Sequence, residues 1–152
     1  VPGNQGSITT SFKTAAQGNA LTGTLRRGKI TEFYAGAIAN PNATDTFLQI
    51  NISRITATGA GAYTSWTPVA TDPADPAAIN TSGINATAEA TAITANSSLW
   101  DNGLNQRNSI RVVLPQESQY LIWPATSGNG LVLRILSTTF TTVADFGFTF
   151  ME

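Results

Sequence analysis

An all-β fold, an antiparallel β-sandwich of jelly-roll-like type with about eight or nine strands, is predicted by three features of the sequence. Apolar residues recur with a period of two along most of the chain, because alternate side chains of a strand point to opposite faces. Clusters of Gly, Pro, Asn and Asp interrupt those runs at short intervals, as turns between strands require. Little of the chain carries a helical apolar period.

Taken in order, Val1–Gly6 has no periodic apolar residue and reads as a flexible arm, leaving residues 7–152 as a single sandwich domain. From Ser7 to Lys13, Ile8, Thr10 and Phe12 share one face; Leu21, Gly23 and Leu25 repeat the alternation. Arg26-Arg27-Gly28-Lys29 reads as a hairpin turn, followed by a strand over Ile30–Ala39 in which Gly36 permits close packing or a bulge. Asn40-Pro41-Asn42 is a turn signal. In the strand Thr46–Thr56, Leu48, Ile50 and Ile52 oppose Phe47, Gln49, Asn51 and Ser53. Ala62–Val69 reads as a strand with Tyr63 and Trp66, and 70–83 as a loop, since two Asp-Pro steps force extended geometry. Ile84–Ala95 mixes helix-forming Ala with Thr and Ile and leans to an extended strand. Ser97–Asp101 is expected to form one helical turn that carries Leu99 and Trp100 onto the core. Ile110, Val112 and Leu114 alternate, as do Leu131, Leu133 and Ile135, and Phe146, Phe148 and Phe150 line a last strand. Pro115–Ser118 turns, Gln119–Trp123 is a strand, and Ser127-Gly128-Asn129-Gly130 is a tight turn that tolerates positive φ.

Composition narrows the chemistry. Histidine and cysteine are both absent. That removes the usual general base, the partner of a serine nucleophile and the soft metal ligands, so no catalytic set, no metal site and no cofactor is expected. Glycoside hydrolysis by paired carboxylates is the remaining route, with Asp72, Asp75, Glu89, Asp101, Glu117 and Asp145 as the available acids, mostly in segments read as loops. Asp72, Asp75 and Asn80 offer oxygens to calcium, without the spacing of a tight calcium loop; exposed Asp-Pro turns are the simpler reading. Trp66, Trp100 and Trp123, with Tyr63 and Tyr120, are either core residues or a sugar-stacking platform.

Charged residues are only 11% of the chain, with net charge −1. A surface so sparing with charge fits one that is covered in an assembly, since soluble monomers keep mixed charge outside. The single basic cluster, Arg26, Arg27 and Lys29, is too small for nucleic acid. Its guanidinium groups suit a carboxylate-bearing protein partner. No apolar run reaches the length of a membrane span, and Val1–Gly6 lacks the basic and apolar regions of a leader. Neither a membrane nor a small-molecule substrate is expected.

The C-terminal third carries Asn108-Ser-Ile-Arg-Val-Val-Leu-Pro115, then Leu121-Ile-Trp-Pro124, Gly128-Asn-Gly-Leu-Val-Leu-Arg134 and the closing Phe146-Gly-Phe-Thr-Phe-Met-Glu152. With Tyr63–Pro68 and the Asp72–Ala77 stretch upstream, this resembles, in general style, the head decoration (cement) proteins of tailed bacteriophages. The resemblance spans about residues 46–152. It implies a non-enzymatic β-sandwich, a homotrimer that bridges major capsid protein subunits on the outside of a virion assembled in the host cytoplasm. The resemblance carries over no functional residue; from the residues themselves, Arg26, Arg27 and Lys29 are the candidate partner contacts, and Val1, Pro2, Gly3, Asn4 and Gln5 a candidate docking arm. Two other readings stay open: a carbohydrate-binding or adhesive module, and another virion part such as a jelly-roll capsid subunit or a tail protein.

Overall fold

The computed structural model describes residues 2–5, 13–19, 26–37, 40, 43–57, 64–84, 93–136 and 144–152. Among them are eleven strands: β1 Pro2–Gln5, β2 Lys13–Asn19, β3 Gly28–Ala37, β4 Phe47–Ile55, β5 Thr64–Trp66, β6 Thr81–Ile84, β7 Ile93–Asn105, β8 Ser109–Val113, β9 Leu121–Trp123, β10 Gly130–Leu136 and β11 Ala144–Met151. One short 3-10 turn, Glu117–Gln119, precedes β9. Every strand pairing is antiparallel.

The strands form two sheets. The first runs β1-β11-β3-β8, with β9 pairing to β3 beside β8; the second runs β5-β6-β2-β10-β4-β7. Setting aside the short β5, β6 and β9 leaves two four-stranded sheets, β1-β11-β3-β8 and β2-β10-β4-β7. Consecutive strands then alternate between the sheets, except where β4 leads to β7 and β8 follows in the other sheet. This is the double Greek key of a jelly roll. The expected sandwich therefore stands, with eight strands in its body and three short additions at its margins.

Alternation explains the core. Phe33, Ala35, Phe146, Phe148 and Trp123 of the first sheet meet Leu48, Ile50, Ile52, Leu131, Leu133 and Ile135 of the second in one buried cluster. The Phe33 ring, fully buried, packs edge-on against Trp100 of β7 at 4.8 Å and 71°, joining the two sheets directly. Burying a large apolar side chain contributes about 1.5–3 kcal/mol, whereas exposed ion pairs contribute little. The core holds this fold, and the four surface ion pairs seen among the described residues decorate it.

Close backbone approach occurs at two glycines. A Cβ on Gly36 would lie 2.7 Å from Ser109 Cβ across the β3–β8 pair, and one on Gly28 would enter the Trp123 ring. The turn before β10 takes the expected form: Gly128 has φ 78°, and Asn129 N–H donates to the Thr126 carbonyl at 3.0 Å.

Four expectations need correction. Pro2–Gln5 is not a free arm; its backbone pairs with β11, Pro2 opposite Gly147 and Gln5 opposite Ala144. Main-chain pairing at a sheet edge needs no apolar alternation, so the pattern gave no sign of it. Arg26–Lys29 is not a hairpin tip, because Gly28 and Lys29 already belong to β3 and pair with Trp123 and Ile122. Thr81–Ile84 is a strand against β2 where a loop was expected. Ser97–Asp101 stays in β7: its register against β4 jumps from Trp100 to Ser98, so Leu99 is an extra, bulged residue. The bulge sets the neighbours Leu99 and Trp100 both against the core, the placement a helical turn would also have given. The strand signals over Ser7–Phe12 and Leu21–Leu25, Tyr63, Glu89 and most of Ile84–Ala95 lie outside the described residues, as do Val1 and Gly6.

Candidate functional site: a cleft beside the C-terminal strand

The loop from Thr67 to Asn80, between β5 and β6, is closed onto the end of β11 by one side chain. The Glu152 carboxylate accepts hydrogen bonds from the backbone N–H of Ile79 at 3.0 Å and of Asn80 at 2.7 Å. The Arg26 guanidinium stands 3.8 Å from it. At the loop tip Asp72 accepts the Ala74 N–H through its side chain and the Asp75 N–H through its carbonyl, a turn of the Asx type. Asp72 thus serves its own loop, and among the described residues no group of three or more acidic side chains is placed to hold a metal.

Between this loop and β11 lies a cleft of about 630 Å³, within the usual range for ligand pockets. Pro68, Val69, Ala77, Phe150 and Met151 supply its apolar part, Trp66 stands in its wall, and Arg26, Asp75 and Glu152 carry its charge. Val69 is 85% and Met151 43% exposed, so the apolar lining is open to solvent. The Trp66 indole N–H is buried and meets no acceptor among the described residues; the Asn80 side-chain N–H₂ is in the same condition. A buried donor left unmade costs about 1–3 kcal/mol.

Replacing Glu152 by Ala removes the acceptor of two loop amides. The expected cost is about 2 kcal/mol, as for hydrogen bonds to a charged group. Hydrogen exchange should quicken at Ile79 and Asn80 while the amides of β3 and β10 keep their relative protection. Unchanged exchange at those two amides would show that the loop is held by other means.

The basic cluster is divided by the fold. Arg26 faces the cleft, Arg27 is exposed, and Lys29 pairs with Glu117 at 3.3 Å. The tryptophans do not form a stacking platform. Trp123 is fully buried, its ring 5.3 Å from Phe150 and its N–H directed to Asn80 Oδ1 at 3.4 Å. Trp66 and Trp100 are both partly buried against the core. Two of the candidate carboxylates are engaged within the chain: Asp101 accepts from Gln49 at 2.7 Å and Asn51 at 3.1 Å, and Glu117 takes Lys29. Around Asp101, buried Asn51 also donates to Ser98 and accepts from Ser53 and Arg134, a polar network on the outer face of the second sheet. The apolar alternation of β4 gave no hint that Asn51 and Ser53 on this opposite face are buried as well.

On the outer face of the first sheet, Arg111 donates two hydrogen bonds to Glu32, at 2.6 and 3.0 Å. Those bonds hold the Glu32 carboxyl below its ordinary value, against a smaller opposing effect of burial. Asp45 is lowered in the same way by Arg107 and Gln106. Burial, with Asp145 and Glu32 nearby, raises the Tyr34 phenol. A carboxyl lowered in the folded state stabilises the fold above the unfolded-state value and loses that contribution as acid protonates it. A raised phenol acts the other way: its contribution is whole at neutral pH and fades above about 10. Denaturation midpoints followed downward from about pH 6 should fall less steeply in Glu32→Gln than in the parent chain. Equal slopes would mean that the Glu32–Arg111 pair adds nothing to folding.

Comparison of this chain with protein-family models, with curated proteins and with solved structures found no match in any of the three.

Proposed function

We propose that this chain is a non-enzymatic virion structural protein, a decoration protein that sits on the outside of a phage capsid as a homotrimer and bridges major capsid protein subunits. The observation that carries the proposal is the pairing of a jelly-roll body with a chain sparing in charge that leaves several large apolar side chains exposed. Phe47, Val69, Val113 and Met151 are all exposed on a chain with so few charges. Contiguous exposed apolar patches mark surfaces that other proteins cover, and of these four Val69 and Met151 line one cleft. Asp101, Glu152 and Glu32, each bonded within its own chain, are consistent with a module that acts by contact. Such a module stabilises a shell by mass action, since anything that binds only the closed shell raises the free energy of opening it. An interface of standard size buries about 1,600 Å², and repeated interfaces around a trimer add avidity.

The test is direct. The purified chain should scatter light as a trimer, pellet with empty capsids, and raise the temperature at which those capsids open. A monomer that stays in the supernatant refutes it. A second reading, a capsid subunit in its own right, is favoured by the strand order, because jelly rolls recur in viral shells. Closed particles formed by the chain alone would select it.

A further inference from the structure

We propose that β7, the last strand of the second sheet, is a self-pairing edge. Its straight end, Trp100–Asn105, takes the same stretch of a second copy of this chain, antiparallel about a two-fold axis at Gly103. The contact goes beyond the capsid reading and does not depend on it. A two-fold contact lies outside any three-fold ring, so it joins one assembly to the next.

The main chain decides which groups are on offer. Gln106 N–H donates to the Thr46 carbonyl at 3.0 Å, and the register continues with Phe47 opposite Asn105 and Leu48 opposite Leu104. Hydrogen-bonded pairs alternate along an antiparallel ladder, so Leu104 and Asn102 bond to β4. Asp101, Gly103 and Asn105 then aim their main-chain N–H and C=O groups away from it, and no described strand lies beyond β7. All three residues are exposed. Lys, Pro and bulges are the usual defences of an edge. β7 has no Lys or Pro, and its bulge at Leu99 falls before this stretch.

Register names the occupant. Outward residues must oppose outward residues if the joined sheets are to keep their faces. A two-fold at Asp101 sets like charges opposite each other, and one at Asn102 runs Asn105 onto the bulge. A two-fold at Gly103 sets Gly103 against itself and Asp101 against Asn105 of the second copy. There the Asn105 side-chain N–H₂ meets a carboxylate with about four lone-pair sites, occupied so far by Gln49 and Asn51. A Cβ built on Gly103 meets no atom within 4 Å, so the axis is open. Every opposed pair comes from the one sequence, which selects a second copy. The other edges suit self-pairing less: β1 and β5 have four and three residues, and β8 would oppose Arg111 to itself.

An edge this short buries well under the roughly 1,200 Å² of a tight interface, so the purified chain should double its mass reversibly only at high concentration. Many such contacts act together where copies are held side by side. Sedimentation equilibrium should show the doubling, weakened at least tenfold in Gly103→Pro, which deletes an outward N–H that β4 does not use. Asn105→Asp should weaken it as much, because it opposes carboxylates while keeping the oxygen that the Arg107 N–H bonds. Circular dichroism like the parent's establishes that both variants fold. The chain has no cysteine, so Gly103→Cys reports the axis. Opposed Cα atoms of a bonded pair lie about 5.5 Å apart, within the span of a disulfide. This variant should cross-link at least tenfold faster than Val113→Cys, a control at an exposed position of the other sheet. No doubling up to the solubility limit, doubling untouched by both variants, or equal cross-linking rates would each overturn the proposal. A chain that pellets with capsids but never doubles loses the edge contact alone. One that doubles but never pellets loses the capsid reading alone.

Discussion

Alanine at Gly28 is expected to cost about 3–5 kcal/mol, a large share of the roughly 5–15 kcal/mol that keeps a domain folded. A Cβ built there would lie 1.9 Å from Trp123 Cζ2 and 2.1 Å from Cε2, far inside van der Waals contact. Neither side can yield cheaply. Gly28 opens β3 and is held in register opposite Trp123, and the indole is fully buried against Phe150. Overpacking of this kind forces side chains off their rotamers or shifts the backbone. Urea unfolding followed by tryptophan fluorescence measures the loss. The double variant Gly28→Ala, Trp123→Phe should recover part of it, because the smaller ring vacates the contested space. If the single variant lies within about 1 kcal/mol of the parent, the ring does not rest on Gly28.

Truncating Phe33 to alanine should lower stability by about 3–5 kcal/mol, as expected for a buried aromatic side chain whose cavity cannot collapse. At about 2–4 °C per kcal/mol for a chain of this size, the unfolding temperature should drop by roughly 6–20 °C. The site is telling because Phe33 belongs to β3 in the first sheet while its ring partner Trp100 belongs to β7 in the second. Calorimetry gives the temperature, and Phe33→Leu should recover much of the loss. A drop of under 3 °C would mean that the sheets are held together elsewhere in the core.

The body of this fold was legible where side-chain alternation and burial coincide. Leu48, Ile50 and Ile52, the Leu131–Ile135 series and the three phenylalanines of β11 announced both their strands and their inward faces. Legibility failed where backbone alone decides. β1 is Pro-Gly-Asn-Gln, a composition that favours turns, and only pairing with β11 makes it a strand. The bulge at Leu99 broke the period of β7, and two adjacent core residues in an otherwise polar run mimicked a helical turn. The candidate site was less legible still. Arg26 stood out by its charge, but Glu152 lies far in sequence from Trp66, Val69 and their loop, and nothing local linked them. The cleft exists because β11 ends beside the β5–β6 loop, a fact of topology that no local pattern encodes. In the same way the polar network around Asn51 needed the partner strands β7 and β10 before it could be seen.

The strand order also governs when this chain can fold. β10 lies between β2 and β4, and β11 between β1 and β3, so the interior of each sheet is filled by a strand from the end of the sequence. A ribosome that has delivered everything up to β9 has released strands with no central neighbour to hydrogen-bond. Such non-local pairing makes for slow folding and leaves strand edges exposed meanwhile. Each sheet therefore closes only after β10 and β11 have been made, and synthesis at lower temperature or with holding chaperones should raise the soluble yield.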